Sequence, residues 1–422
     1  MRDVPCRVAV LDSDTHLGYY DSLRQLPGIY LTACSIGTVP NECDVALLGD
    51  ESSSIVSLTA LDLSYRGIPT LHLPDGILEW RNTWTNPIFN NPEGRPLFQP
   101  SISSKIGCLG LWQALLLESF GNHPFRCEIT GSPRLDYLDR LSRRPNGSVL
   151  IASARTPGFT PDEVELASNA MASIRTALHR YPSYRPLWRL SPQLQERLHL
   201  PDDAQNCARA PLADTLVNAS AVITTPSTLA LEAMRLRIPT LVVDFTNSPA
   251  YLLSAWRANS PDTLGRELEN LLRPDDLQHQ RRIAYQDFLL RLQLEPGNAT
   301  ERVGNLLKIM AQNPEESLNP SRLLLPRRSA YPEGIREFDM SALYPMIPEL
   351  GISDTTVLQA RLLHQRDCLR ELEGYRRRRL VRFSDWISRV APFLRRKPSG
   401  VIQGAPTMNL VETAKTEPPP SP

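Results

Sequence analysis

The sequence predicts an α/β protein built from two doubly wound parallel sheets, each covered by helices on both faces. Short apolar runs alternate with helical patterns from the N-terminus to about residue 312, which is typical of successive βαβ units. The alternation restarts after the linker-like segment 143–147, RRPNG. One stretch, 213–245, shows a complete unit: helix, strand, tight turn, helix and strand. These observations predict two doubly wound halves of similar size.

The domain boundaries follow from the same pattern. We expect an N-terminal Rossmann-like domain over residues 1–145 and a second over residues 146–312. A Pro-rich linker is predicted over 313–353, a basic helical segment over 354–396 and a disordered tail over 397–422. Ligands of doubly wound sheets bind beyond the carboxyl ends of the strands, so two facing domains predict a site in the cleft between them.

Each element of the first domain is an apolar or amphipathic run that ends at a turn signal. The stretch 82–104 is rich in Asn, Pro and Ser and is predicted to be a long loop. Strands are predicted at 7–11, 30–34, 44–48, 70–73, 106–109 and 128–130, and helices at 19–26, 56–66 and 112–120.

The same pattern restarts in the second domain. Its strands are predicted at 148–153, 187–190, 221–223 and 240–243. Its helices include 162–180, 262–272, 275–293 and 299–312.

Charge is balanced overall but uneven along the chain. Lys plus Arg and Asp plus Glu both number 46, so no global field favours nucleic acid. Residues 361–397 carry a local excess of eight positive charges. Within them, 376–396 places Phe383 and Trp386 at helical spacing among arginines, which predicts contact with an anionic membrane surface. The alternatives are a helix packed on its own domain or a partner-binding helix.

The cysteines and the N-terminus indicate the compartment. The seven cysteines are scattered without a CxxC pair, which fits a reducing cytosol and gives no support to a zinc site. The first residues lack the apolar core of a signal peptide, and no apolar run approaches the length of a membrane span. We therefore expect a cytoplasmic protein, peripheral on the inner face of the plasma membrane if segment 376–396 binds lipid.

The turn inside 213–245 is the best candidate site. A strand ends at Thr224-Thr225-Pro226, and Ser227 and Thr228 then begin a helix that carries Glu232 one turn later. Unpaired amides at a helix N-terminus attract anions, and hydroxyls there add hydrogen bonds to phosphate oxygens. A carboxylate one turn on suits two ribose hydroxyls. For this unit alone, a capped helix with an incidental Glu is the simpler interpretation.

Four ordered segments resemble the GT-B-fold glycosyltransferase superfamily, nearest its branch of CDP-glycerol glycerophosphotransferases, capsular-polysaccharide proteins and UDP-GlcNAc 2-epimerases. They are 105–110 (KIGCLG), 130–136 (TGSPRLD), the 213–245 unit and 297–303 (GNATERV). The resemblance spans roughly residues 1–312 and implies two Rossmann-like domains facing a cleft, followed here by a helical basic C-terminal extension. It also implies that the last helix of the second domain, opened by 297–303, crosses back to the first domain. It also implies a nucleotide-diphosphate donor in that cleft.

The resemblance further implies roles for individual residues. Ser227 and Thr228 would contact the donor diphosphate, with Arg155 as counter-charge, and Glu232 would hold the ribose. The acceptor base of many GT-B enzymes lies on a loop of the first domain. His16 is our first candidate for that catalytic base, and Asp75 follows it because a carboxylate in a strand-end turn also projects into the cleft.

Three further residues are candidates for the acceptor side of the cleft. His72 lies inside a predicted strand, where a hydrogen-bonded structural role is the simpler explanation. Arg81 belongs to the aromatic and polar run LEWRNTW, which suits either sugar stacking or loop packing. Arg134 opens a predicted helix in GSPRLD, where a cleft role and a plain surface helix are equally supported.

The departures from the branch narrow the expected chemistry. The CDP-glycerol transferases carry a His-Pro pair where this chain has Trp188 to Pro192 (WRLSP), although Arg189 or Ser191 could substitute. The epimerase signature His-Arg-x-Glu-Asn is replaced by Ala154 to Gly158 (ARTPG), which argues against epimerase chemistry.

The sequence therefore predicts a glycosyltransferase of surface or envelope polysaccharide synthesis. Its partners would be a nucleotide sugar and a saccharide or lipid-linked acceptor. We expect no cofactor and no metal, because GT-B enzymes generally act without one and Asp12-Ser13-Asp14 is better explained as a loop cap. The alternative is a non-catalytic GT-B-like scaffold that binds a nucleotide, a sugar or a partner.

Overall fold

The computed structural model describes residues 5–11, 18–34, 39–51, 54–87, 97–99, 101–200, 207–273 and 277–326. The predicted basic segment 354–396, its amphipathic part 376–396 and the tail 397–422 lie outside these residues. Among the described residues no helix is long and apolar enough to cross a membrane.

The first sheet has six parallel strands in the order β2-β1-β3-β4-β5-β6. Its strands form where short apolar runs are buried on both faces, as in Val45–Leu48, whose four side chains are fully inaccessible. The bounds are β1 Cys6–Leu11, β2 Ile29–Ala33, β3 Val45–Leu48, β4 Thr70–His72, β5 Lys105–Cys108 and β6 Cys127–Ile129.

The second sheet has five parallel strands in the order β11-β10-β9-β7-β8. Its centre is built from the apolar runs of β7 and β9, which pair in register from Val149 and Ala221 onward. The bounds are β7 Ser148–Ala152, β8 Arg185–Arg189, β9 Ala219–Thr224, β10 Thr240–Val243 and β11 Trp256–Ala258. We call each sheet with the helices packed on it a lobe.

Helices cover both sheets, and most coincide with the predicted segments. The α-helices are α1 Ser54–Tyr65, α2 Trp80–Trp84, α3 Leu111–Ser119, α4 Pro161–Leu178, α5 Pro192–Arg197, α6 Leu212–Asn218, α7 Thr228–Arg235, α8 Pro261–Leu271, α9 Leu277–Gln293, α10 Ala299–Gln312 and α11 Pro314–Leu318. Short 3₁₀ helices span Gly18–Gln25, Pro124–Arg126 and Pro133–Arg140.

Helix α2, Trp80–Trp84, overlaps the start of the segment 82–104 that was expected to be a loop. The side chain of Glu79 caps this short helix by accepting from the Asn82 amide at 3.1 Å. Its aromatic rings pack on one another and on Tyr251 of the second lobe, so tertiary contacts stabilise a helix that the local composition does not favour.

Helix α10 follows the second sheet in sequence and packs on the first sheet, as expected for the helix that crosses back. Val303, Leu306, Leu307 and Met310 are fully buried in the core of the first lobe beside β1 and β3. Asp136 fixes the start of this helix by accepting from the amides of Ala299 at 3.1 Å and Thr300 at 2.7 Å. The segments 130–136 and 297–303 therefore dock on each other.

A buried ion pair lies near the amino ends of two neighbouring strands of the first sheet. Lys105 on β5 and Glu128 on β6 are fully inaccessible and meet at 2.8 Å. The Glu128 carboxylate also accepts from the amides of Leu324 and Leu325, at 2.8 and 3.0 Å. The segment after α11 is thereby held against the first lobe.

Candidate functional site

The carboxyl ends of β7, β8 and β9 carry a chain of hydroxyl contacts. The Ala154 amide after β7 donates to Oγ1 of Thr225 at 2.8 Å. The Ser191 amide after β8 donates to Oγ of Ser153 at 2.8 Å. These bonds hold three strand-end loops together at the edge where doubly wound sheets bind ligands.

The turn that leads into α7 lies at this edge. Ser227 is the N-cap residue of α7, but its side chain makes no capping hydrogen bond. Its hydroxyl lies instead 3.1 Å from Oγ1 of Thr224. The hydroxyl of Ser227 is therefore not committed to the first-turn amides of the helix.

The first lobe contacts this turn directly. The Ile77 amide donates to Oγ1 of Thr228 at 3.2 Å. A Cβ added to Gly76 would lie 2.1 Å from the same oxygen, so only glycine allows this approach. The cavity that borders Pro226 is about 10 Å³, room for roughly one water. The turn thus faces the first lobe, and the two lobes pack closely against each other at this point.

Asp75 and His72 line a second cavity on the first-lobe side. This cavity is about 120 Å³ and is bordered by Asp50, Gly76 and Asn82 as well. Asp75 is exposed at the carboxyl end of β4. It is adjacent in sequence to the glycine that contacts Thr228, so the predicted base lies beside the predicted diphosphate turn.

His72 is 1% exposed and stacks on Phe98, with ring centroids 5.3 Å apart. Its Nδ1 has no hydrogen-bond partner among the described residues. A histidine with a purely structural role in a strand is expected to be hydrogen-bonded, and that role does not account for this nitrogen. The imidazole lies in the electrostatic field of Glu51, a second buried residue.

Several hydrogen-bond donors hold the carboxylate of Glu51. Burial alone would raise the pKa of Glu51, but the charge of His72 and hydrogen bonds from Ser101 and Ser103 lower it below the usual value. The Ser101 hydroxyl and the Ser103 amide both donate at 2.5 Å, and the Ile102 amide donates at 3.0 Å. The network fixes the base of the loop that precedes β5.

Glu232 and Arg134 form an ion pair between the lobes. Nη2 of Arg134 donates to Oε1 of Glu232 at 3.0 Å, and the Arg134 guanidinium lies 5.0 Å from the centre of the Tyr19 ring. The other carboxylate oxygen, Oε2, is buried and has no partner among the described residues. Burial raises the pKa of Glu232, against the opposing charge of Arg134. The unpartnered oxygen is the atom that a ribose hydroxyl could satisfy.

Arg155 and Arg81 have different surroundings. Arg155 is exposed on the loop after β7. Arg81 is 4% exposed and paired with Glu79 at 2.5 Å, while its Nη1 donates to the Pro157 carbonyl at 3.4 Å. Arg81 therefore joins the two lobes, and its charge is already balanced.

His16, the other candidate base, lies outside the described residues.

Two further residues act on Glu232: Tyr137, which was not among the predicted site residues, and Arg189, which was named only as a possible substitute for the missing His. Burial, followed by the charge of Glu232, raises the pKa of Tyr137 to about 12. Arg189, at the end of β8, donates to the carbonyls of Cys207 at 2.9 Å and Ala210 at 2.7 Å, and its charge also acts on Glu232. The position of Arg189 at a strand end was the signal available in the sequence.

No protein-family model matches this sequence, and the search of curated proteins gives no match. Solved structures do match it. A Listeria monocytogenes protein assigned as a UDP-N-acetylglucosamine 2-epimerase is 12% identical, with a TM-score of 0.51 over 76% of this chain and 100% of that one. The wall teichoic acid polymerase TagF is 14% identical, with a TM-score of 0.49 over 75% of this chain and 90% of that one.

A third match is the Methanocaldococcus jannaschii UDP-GlcNAc 2-epimerase solved with UDP-GlcNAc and UDP. It is 14% identical, with a TM-score of 0.48 over 72% of this chain and 99% of that one. The likeness to the L. monocytogenes structure, together with the two parallel sheets, shows a GT-B fold and confirms the predicted fold class.

Proposed function

We propose that this protein is a GT-B glycosyltransferase that moves a sugar, or a sugar-like group, from a nucleotide-diphosphate donor. The observation that carries the proposal is the contact of Gly76 and Ile77 with Thr228. It puts the exposed carboxylate of Asp75 next to the turn proposed for the diphosphate. Glu232, with one unpartnered oxygen, follows one helical turn later.

The proposed reaction is displacement of the nucleoside diphosphate. Asp75, or His16, accepts the proton of the acceptor hydroxyl, and the acceptor oxygen forms a bond to the anomeric carbon. The bond between that carbon and the diphosphate oxygen breaks, and the electron pair leaves with the diphosphate. Ser227, Thr228 and Arg155 stabilise the charge that develops on the phosphates, and no metal is required.

Donor binding in this scheme changes two contacts between the lobes. The hydroxyl of Thr228 exchanges the Ile77 amide for a phosphate oxygen. Glu232 accepts from the ribose through Oε2, while Arg134 keeps its bond to Oε1. The donor therefore enters as the packed contact at Pro226 separates.

The acceptor would occupy the cavity beside Asp75 and His72. Carboxylates of Asp50, Asp75 and Glu79 border this cavity, which favours hydroxyl groups over phosphates. A saccharide or lipid-linked saccharide of a surface or envelope polysaccharide pathway meets that requirement. The proposed location is the cytoplasm or the inner face of the plasma membrane, where nucleotide sugars are available.

Thermal unfolding with UDP, CDP and GDP tests the donor site. One nucleotide should raise the Tm of the wild-type chain, and Glu232→Ala should abolish that shift because it removes the ribose acceptor. Glu165→Ala, at an exposed glutamate on α4, should keep the shift. An equal Tm shift in both variants would show that the nucleotide binds at another site.

Turnover with the identified nucleotide sugar tests the base. Loss of general-base catalysis typically costs about 10²–10⁴-fold in rate. Asp75→Ala should show this loss if the carboxylate acts as base, and His16→Ala should show it if the imidazole does. Asp262→Ala, at an exposed position on α8, is the control. Full activity in both candidate variants rules out both assignments.

A non-catalytic GT-B scaffold is the second candidate. Two observations favour it: the cavity at Pro226 is only about 10 Å³, and Glu232 already pairs with Arg134. The absence of the His-Pro pair at 188–192 points the same way. Thermal unfolding that is unaffected by all three nucleotides would support this candidate over the transferase.

A further inference from the structure

A cavity of about 720 Å³ lies at the amino ends of strands in the second sheet, away from the carboxyl-end site. Its wall includes Gly147 before β7, Ser220 and Ala221 at the start of β9, and Pro239 before β10. Its volume falls within the roughly 300–1,000 Å³ range of small-molecule sites. Nothing in the proposed transferase reaction uses it.

The floor of this cavity is apolar. Leu236, Leu271 and Leu272 are 8%, 2% and 6% exposed, and Ile283 of α9 completes the surface. Tyr184 also lines the cavity, and its hydroxyl already donates to the Leu272 carbonyl at 3.0 Å. Such a floor favours a hydrocarbon chain over a sugar or a base.

Two guanidinium groups border the same cavity. Arg143 is fixed because its Nη1 donates to the Arg237 carbonyl at 2.9 Å and its Nη2 to the Ala219 carbonyl at 3.2 Å. Its Nε is buried and has no acceptor among the described residues. Burial, followed by the charge of Arg237, lowers the pKa of Arg143. Arg237 also pairs with Asp287 at 3.0 Å, which balances part of the local positive charge. An anion beside the two guanidinium groups would relieve the repulsion that remains between them.

We propose that this cavity binds a single-chain lipid phosphate. The hydrocarbon chain lies on the leucine floor, and the phosphate lies beside the guanidinium groups of Arg143 and Arg237, which both line the cavity. Charge complementarity selects the anionic head, and the apolar floor selects the chain. The two halves of the ligand therefore match two separate surfaces of one cavity.

Calorimetric titration of the full chain tests this proposal with three probes. Decyl phosphate, used below its micelle concentration, should bind with one-to-one stoichiometry. Decanol should bind about tenfold more weakly or worse, because it lacks the charge-assisted hydrogen bond. Inorganic phosphate should show no saturable binding, because it lacks the chain.

Variants separate the head from the chain. Arg143→Gln should weaken the binding of decyl phosphate about tenfold or more and leave the binding of decanol unchanged. Decanol binding therefore also reports whether the variant folds. Arg237→Gln, at an exposed residue, should weaken decyl phosphate by a smaller factor. Arg180→Gln, an exposed arginine of the same lobe outside the cavity, should have no effect.

Four results would overturn the proposal. The first is equal binding of decyl phosphate and decanol, and the second is a folded Arg143→Gln variant that binds decyl phosphate as the wild type does. Inorganic phosphate binding as tightly as decyl phosphate would make this a plain anion site. Self-association of the chain that Arg143→Gln suppresses would make it an interface between copies. Glu232→Ala should not affect decyl phosphate, so failure of the transferase proposal and failure of this one remain distinguishable.

Discussion

At the scale of single residues, Gly76 decides how the first lobe meets the turn before α7. Gly76→Ala places a methyl group 2.1 Å from Oγ1 of Thr228, so we expect a loss of about 1–3 kcal/mol in the free energy of unfolding. Thr228→Ala removes the obstructing oxygen, and the double variant should lose less than the sum of the single losses. Urea unfolding measures all three.

Gly265→Ala is the matched control, because nothing lies within 4 Å of the added methyl group. Gly265 lies within α8, where alanine should gain about 0.5–1 kcal/mol over glycine. Losses that simply add in the double variant would show that Gly76 and Thr228 do not interact in solution.

Glu51 gives a prediction with a pH dependence. Its folded pKa lies below the ordinary value, so its contribution to stability is present above the unfolded pKa of about 4.3 and is lost as the pH falls through the folded pKa. Glu51→Gln should lower the free energy of unfolding by about 1.5–3 kcal/mol at pH 7 because it weakens charge-assisted hydrogen bonds.

Urea unfolding from pH 7 down to pH 3 checks this expectation. The difference in the free energy of unfolding between the wild type and Glu51→Gln should become smaller below about pH 4. Glu165→Gln, at an exposed glutamate, should follow the wild type throughout. A gap that stays constant with pH would mean that Glu51 is not ionised in the folded protein.

At the scale of elements, the docking of 130–136 on α10 is held by Asp136. Asp136→Ala should cost about 0.5–2 kcal/mol, the usual range for a lost helix cap, because two amides of α10 lose their acceptor. Hydrogen exchange should quicken first at Ala299 and Thr300. Asp262→Ala, in the exposed first turn of α8, should leave those amides unchanged, whereas unaltered exchange in Asp136→Ala would contradict the capping role.

At the scale of the whole molecule, a net charge of zero combines with a basic C-terminal region. Residues 376–396 are outside the described residues, so their membrane contact remains a prediction. The full chain should co-sediment with anionic vesicles, and removal of 354–422 should abolish this. Binding should weaken as salt rises, because ions screen the attraction between arginines and lipid. Equal sedimentation with neutral vesicles would argue against the electrostatic mechanism.

Local sequence patterns were sufficient for most of the fold. The apolar runs of β3 and β9 predict buried parallel strands because their side chains have no polar face to expose. The GSPRLD and GNATER segments were recognised by resemblance, but their contact with each other became evident only in three dimensions. Helix α2 was missed because packing against Tyr251, rather than propensity, stabilises it.

The sequence by itself determined two doubly wound halves, the turn at Pro226 and the hydroxyls and carboxylate around it, because strand and turn preferences act over a few neighbouring residues. Only the tertiary structure decided that Gly76 packs on Thr228, that Arg134 pairs with Glu232 and that His72 lies beside Glu51. These residues are separated by 152, 98 and 21 positions in the numbering of the chain. Their contacts depend on how the sheets and loops pack, and no pattern of neighbouring residues encodes that arrangement.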